Sequence, residues 1–489
     1  MLRRLGPVIV AALLAGSLGT APATQAATPT LPAAIPALSP RPLVAFSLVV
    51  PVSTAPSGLI ARAILPKGVA CPPLVARTSS GKKVARASRP RVIPGSTNPA
   101  FTALRSCEAK MPRNATRAEF GGLPIPSSMP ARIDRLAIVG DTGCRIWESY
   151  IQDCTSAQDW PYARIAQRIA EDDPDLIVHM GDYFYREETC PEAQADLCAN
   201  SPGPIPGLPF TDTDYSWLAD AIVPMAPLFP VAPILALRGN HEECFRGGNG
   251  WFLFFDPSWQ SADLCAPVDG VAPTIISDSY AVDLPLRGDR ALRLVVVDSS
   301  NGSDTSITPS LQPGQRAAYQ AGTALAADAG ESWLLTHRPI TGLVTTEYSP
   351  PPPTEWTPWT AMDQAAASYG LLDDYGIVVG SQIHVVESVQ IPGLPGQLVV
   401  GNGGTLLDSS TGYVIPPHGA LADASGQPVD PGLTPYPTAS RLWVRAQFGY
   451  AIATPGQGSG AWRFSLRSVS GDEFAVCRLR APDLRCADA

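Results

Sequence analysis

Five short apolar runs in this chain each stop at a residue that can bind a metal ion. The run Leu176, Ile177, Val178 ends at Gly181-Asp182, and Tyr185 follows three residues on, near enough in the same turn to point a phenolate at whatever Asp182 holds. Arg135 to Gly140 (RLAIVG) ends in Asp141-Thr142-Gly143, and Ile234 to Arg238 (ILALR) in Gly239-Asn240-His241-Glu242. Ser332 to Thr336 (SWLLT) ends in His337-Arg338-Pro339, and Ile377 to Gly380 (IVVG) runs into Ser381-Gln382-Ile383-His384. Any one of these alone reads as a turn or a helix cap. Together Asp, Asp, Asn, His and His are a set of oxygen and nitrogen donors. A side chain just past a buried strand sits on a rigid platform, where open α/β sheets place their ligands. The chemistry this suits is metal binding.

This series of motifs resembles the calcineurin-like metallophosphoesterases, and within them the purple acid phosphatase branch, over about residues 130 to 410. The family pattern is GD-x-H or GD-x-G, then GD, then GNH, then a lone His, then GH-x-H. Gly140-Asp141-Thr142-Gly143 follows the GD-x-G form. In the purple acid phosphatases a tyrosine three residues after the second aspartate replaces the missing first-motif histidine, and Tyr185 stands in that place.

The resemblance implies hydrolysis of a phosphoester, whose negatively charged phosphorus centre repels hydroxide and whose leaving alkoxide needs a proton. Two cations about 3.5–4 Å apart meet the first need by binding phosphate oxygens and acidifying a bridging water. By motif, the first metal falls to Asp141, Asp182, Tyr185 and His384. The second takes Asp182 as bridge, with Asn240, His337 and Gln382. Carboxylate and phenolate ligands favour Fe(III) at the first site; nitrogen and neutral oxygen ligands suit Zn, Mn or Fe(II) at the second. His241, beside a ligand, is the candidate to steady the transition state and protonate the leaving group. Arg145 and Arg338 each follow a ligand closely, so each is read either as a phosphate contact or as a surface ion pair. Glu242 either orients His241 or serves as a helix-start carboxylate. His179 reads as a satisfied core histidine, His418 as surface, and Asn402-Gly403-Gly404 as a tight turn near the site.

One position departs from the family: where GH-x-H is expected, the chain has Ser381-Gln382-Ile383-His384. An amide oxygen binds a metal more weakly than an imidazole nitrogen. This keeps a second reading open, a single-metal binding or structural protein on the phosphatase fold. Within the enzyme reading the expected partner is a small phosphorylated substrate. Monoesters are favoured through the resemblance, with phosphodiesters and nucleotides as the alternative.

The elements that must position these residues alternate strands with helices, which implies α/β packing. The resemblance implies a metallophosphoesterase four-layer α/β/β/α sandwich over residues 128–435. Trp160-Pro161 opens a helix with Asp159 as a plausible N-cap and Ile165, Ala166 and Ile169 as its apolar stripe. Gln315 to Ala329 and Met362 to Tyr375 read as further helices, and Leu292 to Val297 as a buried strand. Residues 42–127, with short β-type runs between Pro/Gly/Ser clusters, suggest a small N-terminal all-β domain. Residues 436–489 read as a C-terminal extension of three antiparallel strands: RLWVRAQFGYAIA, AWRFSLRSV and EFAVCRL.

At 489 residues the chain exceeds one compact core, and its net charge of −9 argues against binding a nucleic-acid backbone. Residues 1–26 form a signal peptide, with Arg3-Arg4, an apolar Val8 to Leu18, and Thr24-Gln25-Ala26 before the cleavage point. Residues 27–41 read as a Pro-rich linker. No later stretch is apolar enough for a membrane helix, so a secreted or periplasmic protein is expected. The ten cysteines suit that compartment and fall into sequential neighbours: Cys71/Cys107, Cys144/Cys154, Cys190/Cys198, Cys244/Cys265 and Cys477/Cys486. With no Cys-x-x-Cys, a thiolate metal site ranks far lower. The sequence sets no oligomeric state.

Overall fold

The computed structural model describes residues 42–91, 100–147, 150–198, 212–259, 265–267, 269–302, 312–340, 342–345, 356–359, 370–408 and 440–489. Two large sheets dominate. The eleven-stranded sheet runs, edge to edge, through Asp483–Asp488, Glu473–Arg480, Ala461–Ser468, Gly449–Pro455, Leu136–Val139, Leu176–His179, Ile234–Ala236, Val44–Val49, Leu59–Pro66, Leu104–Lys110 and Arg89–Pro90. The seven-stranded sheet runs through Tyr280–Pro285, Ala291–Val297, Ser332–Thr336, Ile377–Gly380, Gly396–Val400, Val386–Gln390 and Arg441–Arg445.

Strand alternation explains the layering. Leu136, Ile138, Leu176, Val178 and Leu235 point to one face and pack in one core with Leu292, Leu294, Trp333, Leu335, Ile377 and Leu398 of the second sheet. Their neighbours Ala137, Val139, Ile177 and Ile234 point outward, onto Ile165, Ala166 and Ile169 of helix Tyr162–Glu171 and onto helix Gly248–Phe254. On the far side, Val295, Val297, Leu334 and Val378 pack against Ala318 and Tyr319 of helix Gln312–Ala326. The result is the expected α/β/β/α sandwich. Each fully buried Leu, Ile or Val in it contributes about 1.5–3 kcal/mol of transfer free energy.

The centre of each sheet is parallel. Leu136–Val139 pairs with Leu176–His179, which pairs with Ile234–Ala236, and Leu48 of Val44–Val49 registers with Ile234. In the second sheet Ala291–Val297, Ser332–Thr336, Ile377–Gly380 and Gly396–Val400 are likewise parallel in turn. The carboxyl ends of these strands therefore gather at one edge of the sandwich.

The terminal regions join these sheets. The N-terminal region is all-β, and its strands Val44–Val49, Leu59–Pro66 and Leu104–Lys110 extend the eleven-stranded sheet; Leu74–Thr78 and Ala115–Phe120 lie in a separate four-stranded sheet. The run read as one strand, RLWVRAQFGYAIA, is two: Arg441–Arg445 closes the seven-stranded sheet, and Gly449–Pro455 pairs with Leu136–Val139 in the other. Helix Tyr162–Glu171 begins one residue after Pro161 and has no side-chain cap, so Asp159 does not fill that role. Most of the helix expected over Met362 to Tyr375 lies outside the described residues, as do His418 and the signal and linker segments.

All five cysteine pairs form as the neighbour rule expects, and no cysteine is free. Cys144–Cys154, Cys190–Cys198 and Cys244–Cys265 brace the loops that follow Asp141, Tyr185 and His241. Five disulfides suit an oxidising compartment. No helix among the described residues is long and apolar enough to cross a membrane.

Candidate metal centre

The candidate ligands leave their strands on a strained backbone. Asp141, Asp182 and Gln382 have φ of 55°, 57° and 67°, a left-handed region that non-glycine residues rarely occupy. Such strain persists where the surroundings over-determine it. Here the Glu242 carboxylate accepts from the amides of Asp182 (2.8 Å), Tyr183 (2.8 Å), Phe184 (3.3 Å) and Gly239 (2.9 Å), which locks the second and third motifs together. Glu242 thus holds backbone and does not orient His241. Gly239 must be glycine for close approach, because a Cβ there would lie 2.0 Å from Asp182 Oδ1.

The side chains converge. Tyr185 Oη lies 2.7 Å from Asp182 Oδ2, 3.1 Å from Asp141 Oδ1 and 2.9 Å from His384 Nε2. On the other side of Asp182, His337 Nε2 lies 3.3 Å from Asp182 Oδ1 and 2.9 Å from Asn240 Oδ1. His337 Nδ1–H donates to the Met180 carbonyl at 2.8 Å, which fixes the ring with Nε2 facing those oxygens. Asp141, Asp182 and His337 alone bring three ligand atoms within 4.8 Å of one another, all buried. The backbone N–H of Gln382 donates to Asp141 Oδ2 at 2.9 Å, and Ser381 Oγ donates to the same oxygen.

The electrostatics call for positive charge at this point. Burial and the neighbouring Asp182 carboxylate push the Asp141 carboxyl well up, although His337 acts the other way. Burial also opposes ionisation of Asp182, but His337 and His241 outweigh it and hold that carboxyl well down. Burial likewise disfavours charge on His337, yet Asp182 and Asp141 raise it to about 9. Burial, with Asp182 and Asp141, pushes the Tyr185 phenol well up, so a phenolate here needs a compensating cation. Two buried carboxylates, a buried phenol, two buried imidazoles and the half-buried Asn240 amide oxygen fit a pair of cations.

Around them stands a set of residues that no local motif marks. Asp220 accepts from the Tyr185 amide (2.9 Å) and from Arg186 Nε (2.6 Å), and Arg186 also donates to the Cys198 carbonyl (2.7 Å). His241 donates its amide to Asp182 Oδ1 (2.9 Å), and its ring lies over Tyr185 with centroids 3.7 Å apart. Glu187 Oε1 lies 3.0 Å from His241 Nδ1 and accepts from Arg246 Nε at 2.5 Å. The other end of that guanidinium, Arg246 Nη2, is 2.7 Å and 2.9 Å from the two ring nitrogens. His384 donates its amide to Asp408 Oδ2 at 2.8 Å.

The remaining sequence candidates separate clearly. Arg145 is buried, with its guanidinium carbon 5.1 Å from the centre of the Tyr185 ring, so it borders the first site. Arg338 is buried too, but it donates to the Ser300 carbonyl at 3.2 and 3.3 Å and lies 3.7 Å from Glu243. It is an interior tie and not a surface ion pair. His179 is a core histidine, bonded to Thr142 Oγ1 at 3.0 Å and stacked on Tyr183 at 3.7 Å, with burial lowering its pKa to about 3. The Asn402 turn borders the site, since Gly403 N donates to the Gly140 carbonyl at 3.0 Å.

Residues 134–347 match the calcineurin-like phosphoesterase family. No curated protein matches the chain in sequence. Among solved structures, a purple acid phosphatase, PPD1, from seeds of yellow lupin (Lupinus luteus) superposes with a TM-score of 0.51 at 13% identity, covering 92% of this chain and 74% of that one. A structure of PhoD superposes with a TM-score of 0.54 at 13% identity, covering 93% of this chain and 94% of that one. At that identity the likeness is one of fold.

Proposed function

The chain carries a calcineurin-like phosphoesterase domain over residues 134–347, the domain of a phosphoric ester hydrolase, and from this premise we propose an exported, metal-dependent phosphatase acting on small phosphate esters. Asp141, Asp182, Tyr185 and His384 would hold the first cation, and Asp182, Asn240, His337 and Gln382 the second. Fe(III) suits the carboxylate and phenolate set, and Zn, Mn or Fe(II) the other. When bound, such a pair draws charge from phosphate oxygens and lowers the pKa of water. Around it the chain supplies His241 for the leaving group and Arg145 for phosphate. Arg338 braces the loop after His337 through the Ser300 carbonyl. The observation that carries this reading is the convergence of Tyr185 Oη on Asp182, Asp141 and His384 within 3.1 Å. The fold likeness to a purple acid phosphatase is in keeping with it.

The direct test is colour together with turnover. Protein purified from iron-containing medium should release phosphate from an aryl phosphate and show a broad visible charge-transfer band. Tyr185→Phe should remove the band while far-UV circular dichroism stays unchanged. An active, iron-loaded wild type with no such band would sink the tyrosine's role.

Gln382 favours a second reading, in which one metal binds firmly and the chain serves as a binding or structural module. If the second site is weak, wild type should purify with more metal at the first site than at the second, and added divalent metal should raise its activity. Gln382→His should then tighten the second metal and lower the need for supplement. Wild type with two tightly held metals and a silent substitution would show that Gln382 suffices.

A further inference from the structure

A cationic feature lies on the sheet that carries Asp141, Asp182 and Asn240, several strands away from the metal centre. Strand Leu104–Lys110 pairs antiparallel with Leu59–Pro66, which pairs antiparallel with Val44–Val49. Leu104–Lys110 therefore runs in the same direction as Leu136–Val139, Leu176–His179 and Ile234–Ala236, and its carboxyl end faces the way theirs do. Three strand steps separate it from Ile234–Ala236, roughly 14 Å at about 4.8 Å per step. Lys110 registers through Ile60 and Leu48 with Ile234, so Asn240 lies a further distance of roughly 20 Å along the strand at about 3.3 Å per residue. The chain also links the two places directly: from Asn240 it passes through helix Gly248–Phe254 and reaches Trp259.

At that end lies a cavity of about 500 Å³ whose walls include Arg86, Lys110, Met111, Pro112, Arg113 and Trp259. None of its lining residues is acidic. Arg89 and Lys110 lean on the Trp259 ring, at 3.8 and 4.9 Å from its centre, so the indole fixes their stems and aims their charge. Beneath the cavity, Glu108 meets Arg62 at 3.2 Å, Arg89 at 3.5 Å and Arg91 at 2.9 Å, and Asp256 meets Arg91 at 2.6 Å. These three guanidinium groups face two carboxylates, so the foundation keeps excess positive charge, and Arg86, Lys110 and Arg113 add three more. In a chain of net charge −9 this is a local reversal of sign. Concave, one-signed surfaces of this kind concentrate counter-ions.

We propose that this groove is a distal anion subsite, taking a second phosphate of an extended, multiply phosphorylated substrate whose scissile phosphate lies at the metal centre. The proposal rests on the phosphoesterase reading and gives its substrate class: chains bearing several phosphates rather than isolated monoesters. Guanidinium forks and an ammonium suit phosphate oxygens, and the apolar walls from Met111 and Pro112 suit the linker between charges.

Inorganic polyphosphate is the probe, and the variant is Lys110→Ala/Arg113→Ala; Arg113 is exposed, which leaves the fold intact. Calorimetric titration of the full chain should show polyphosphate bound about tenfold more weakly by the variant, with the slope of log K against log salt reduced by about one per cation removed. The selectivity, kcat/KM for polyphosphate over kcat/KM for p-nitrophenyl phosphate, should fall by a similar factor. Arg113→Glu should fall further. Equal binding by wild type and variant overturns the proposal, and so does a variant that loses both substrates in proportion. A wild type that hydrolyses neither substrate defeats the phosphoesterase reading, while the titration still decides the groove.

Discussion

Asp182→Asn should remove metal from both sites at once and abolish phosphoester hydrolysis. Asp182 Oδ2 meets Tyr185 Oη at 2.7 Å and Oδ1 meets His337 Nε2 at 3.3 Å, so one carboxylate faces both halves of the donor set. An amide keeps the shape but loses the charge and one acceptor. Asparagine tolerates the left-handed backbone at φ 57°, and the Glu242 bond to that backbone N–H does not involve the side chain, so the fold should survive. Transition-state charge stabilisation by bound metal is worth several kcal/mol. At about 1.4 kcal/mol per tenfold, this predicts a fall in kcat of roughly 10³ or more. Elemental analysis should show both metals lost, with far-UV circular dichroism unchanged. A variant that keeps two metals and turns over within tenfold of wild type would remove Asp182 from the bridging position.

How much of this arrangement could be read in advance depended on how local each signal is. Asp141, Asp182, Asn240, His337 and His384 were legible because strand and donor stand together within a few residues, and Gly140, Gly181 and Gly239 mark the close backbone approaches just before three of them. Short-range disulfides were legible for the same reason: small loops close easily. The supporting residues were not. Glu187 and Arg246 flank His241 from different loops, and Asp408 reaches His384 from beyond the Asn402 turn. Asp220 lies on the helical segment after Trp217 and supports Tyr185 and Arg186 from there. The one available cue was Arg186-Glu187-Glu188, three charges placed directly after the tyrosine. Strand partnership was equally hidden. Nothing in the composition of VAFSLV says that it pairs with Ile234, and a single glycine, Gly449, is all that marks where RLWVRAQFGYAIA changes sheets.

His241→Ala should separate substrates by leaving group. An alkyl phosphate needs a proton on its departing oxygen, whereas a nitrophenyl phosphate does not, and a positioned acid is worth about 10²–10⁴ in rate. The variant should therefore lose two or more orders of magnitude on the alkyl ester and much less on the aryl one, with metal content little changed. The environment of the ring sets the pH dependence. Burial and the Arg246 guanidinium lower the imidazole to about 4, while Glu187 and Asp182 act in the other direction. The protonated form is thus populated toward acid pH and lost as pH rises through the imidazole's pKa. Wild-type turnover of alkyl phosphates should fall along that limb, and His241→Ala should lack it. Glu187→Gln supplies the check on position, because it keeps a hydrogen-bond partner within reach of Nδ1 but removes the charge that opposes Arg246. It should shift the limb to lower pH and leave aryl phosphate turnover near wild type. Equal losses on both esters in His241→Ala would mean that the ring positions phosphate without donating a proton, and loss of metal would make it a ligand.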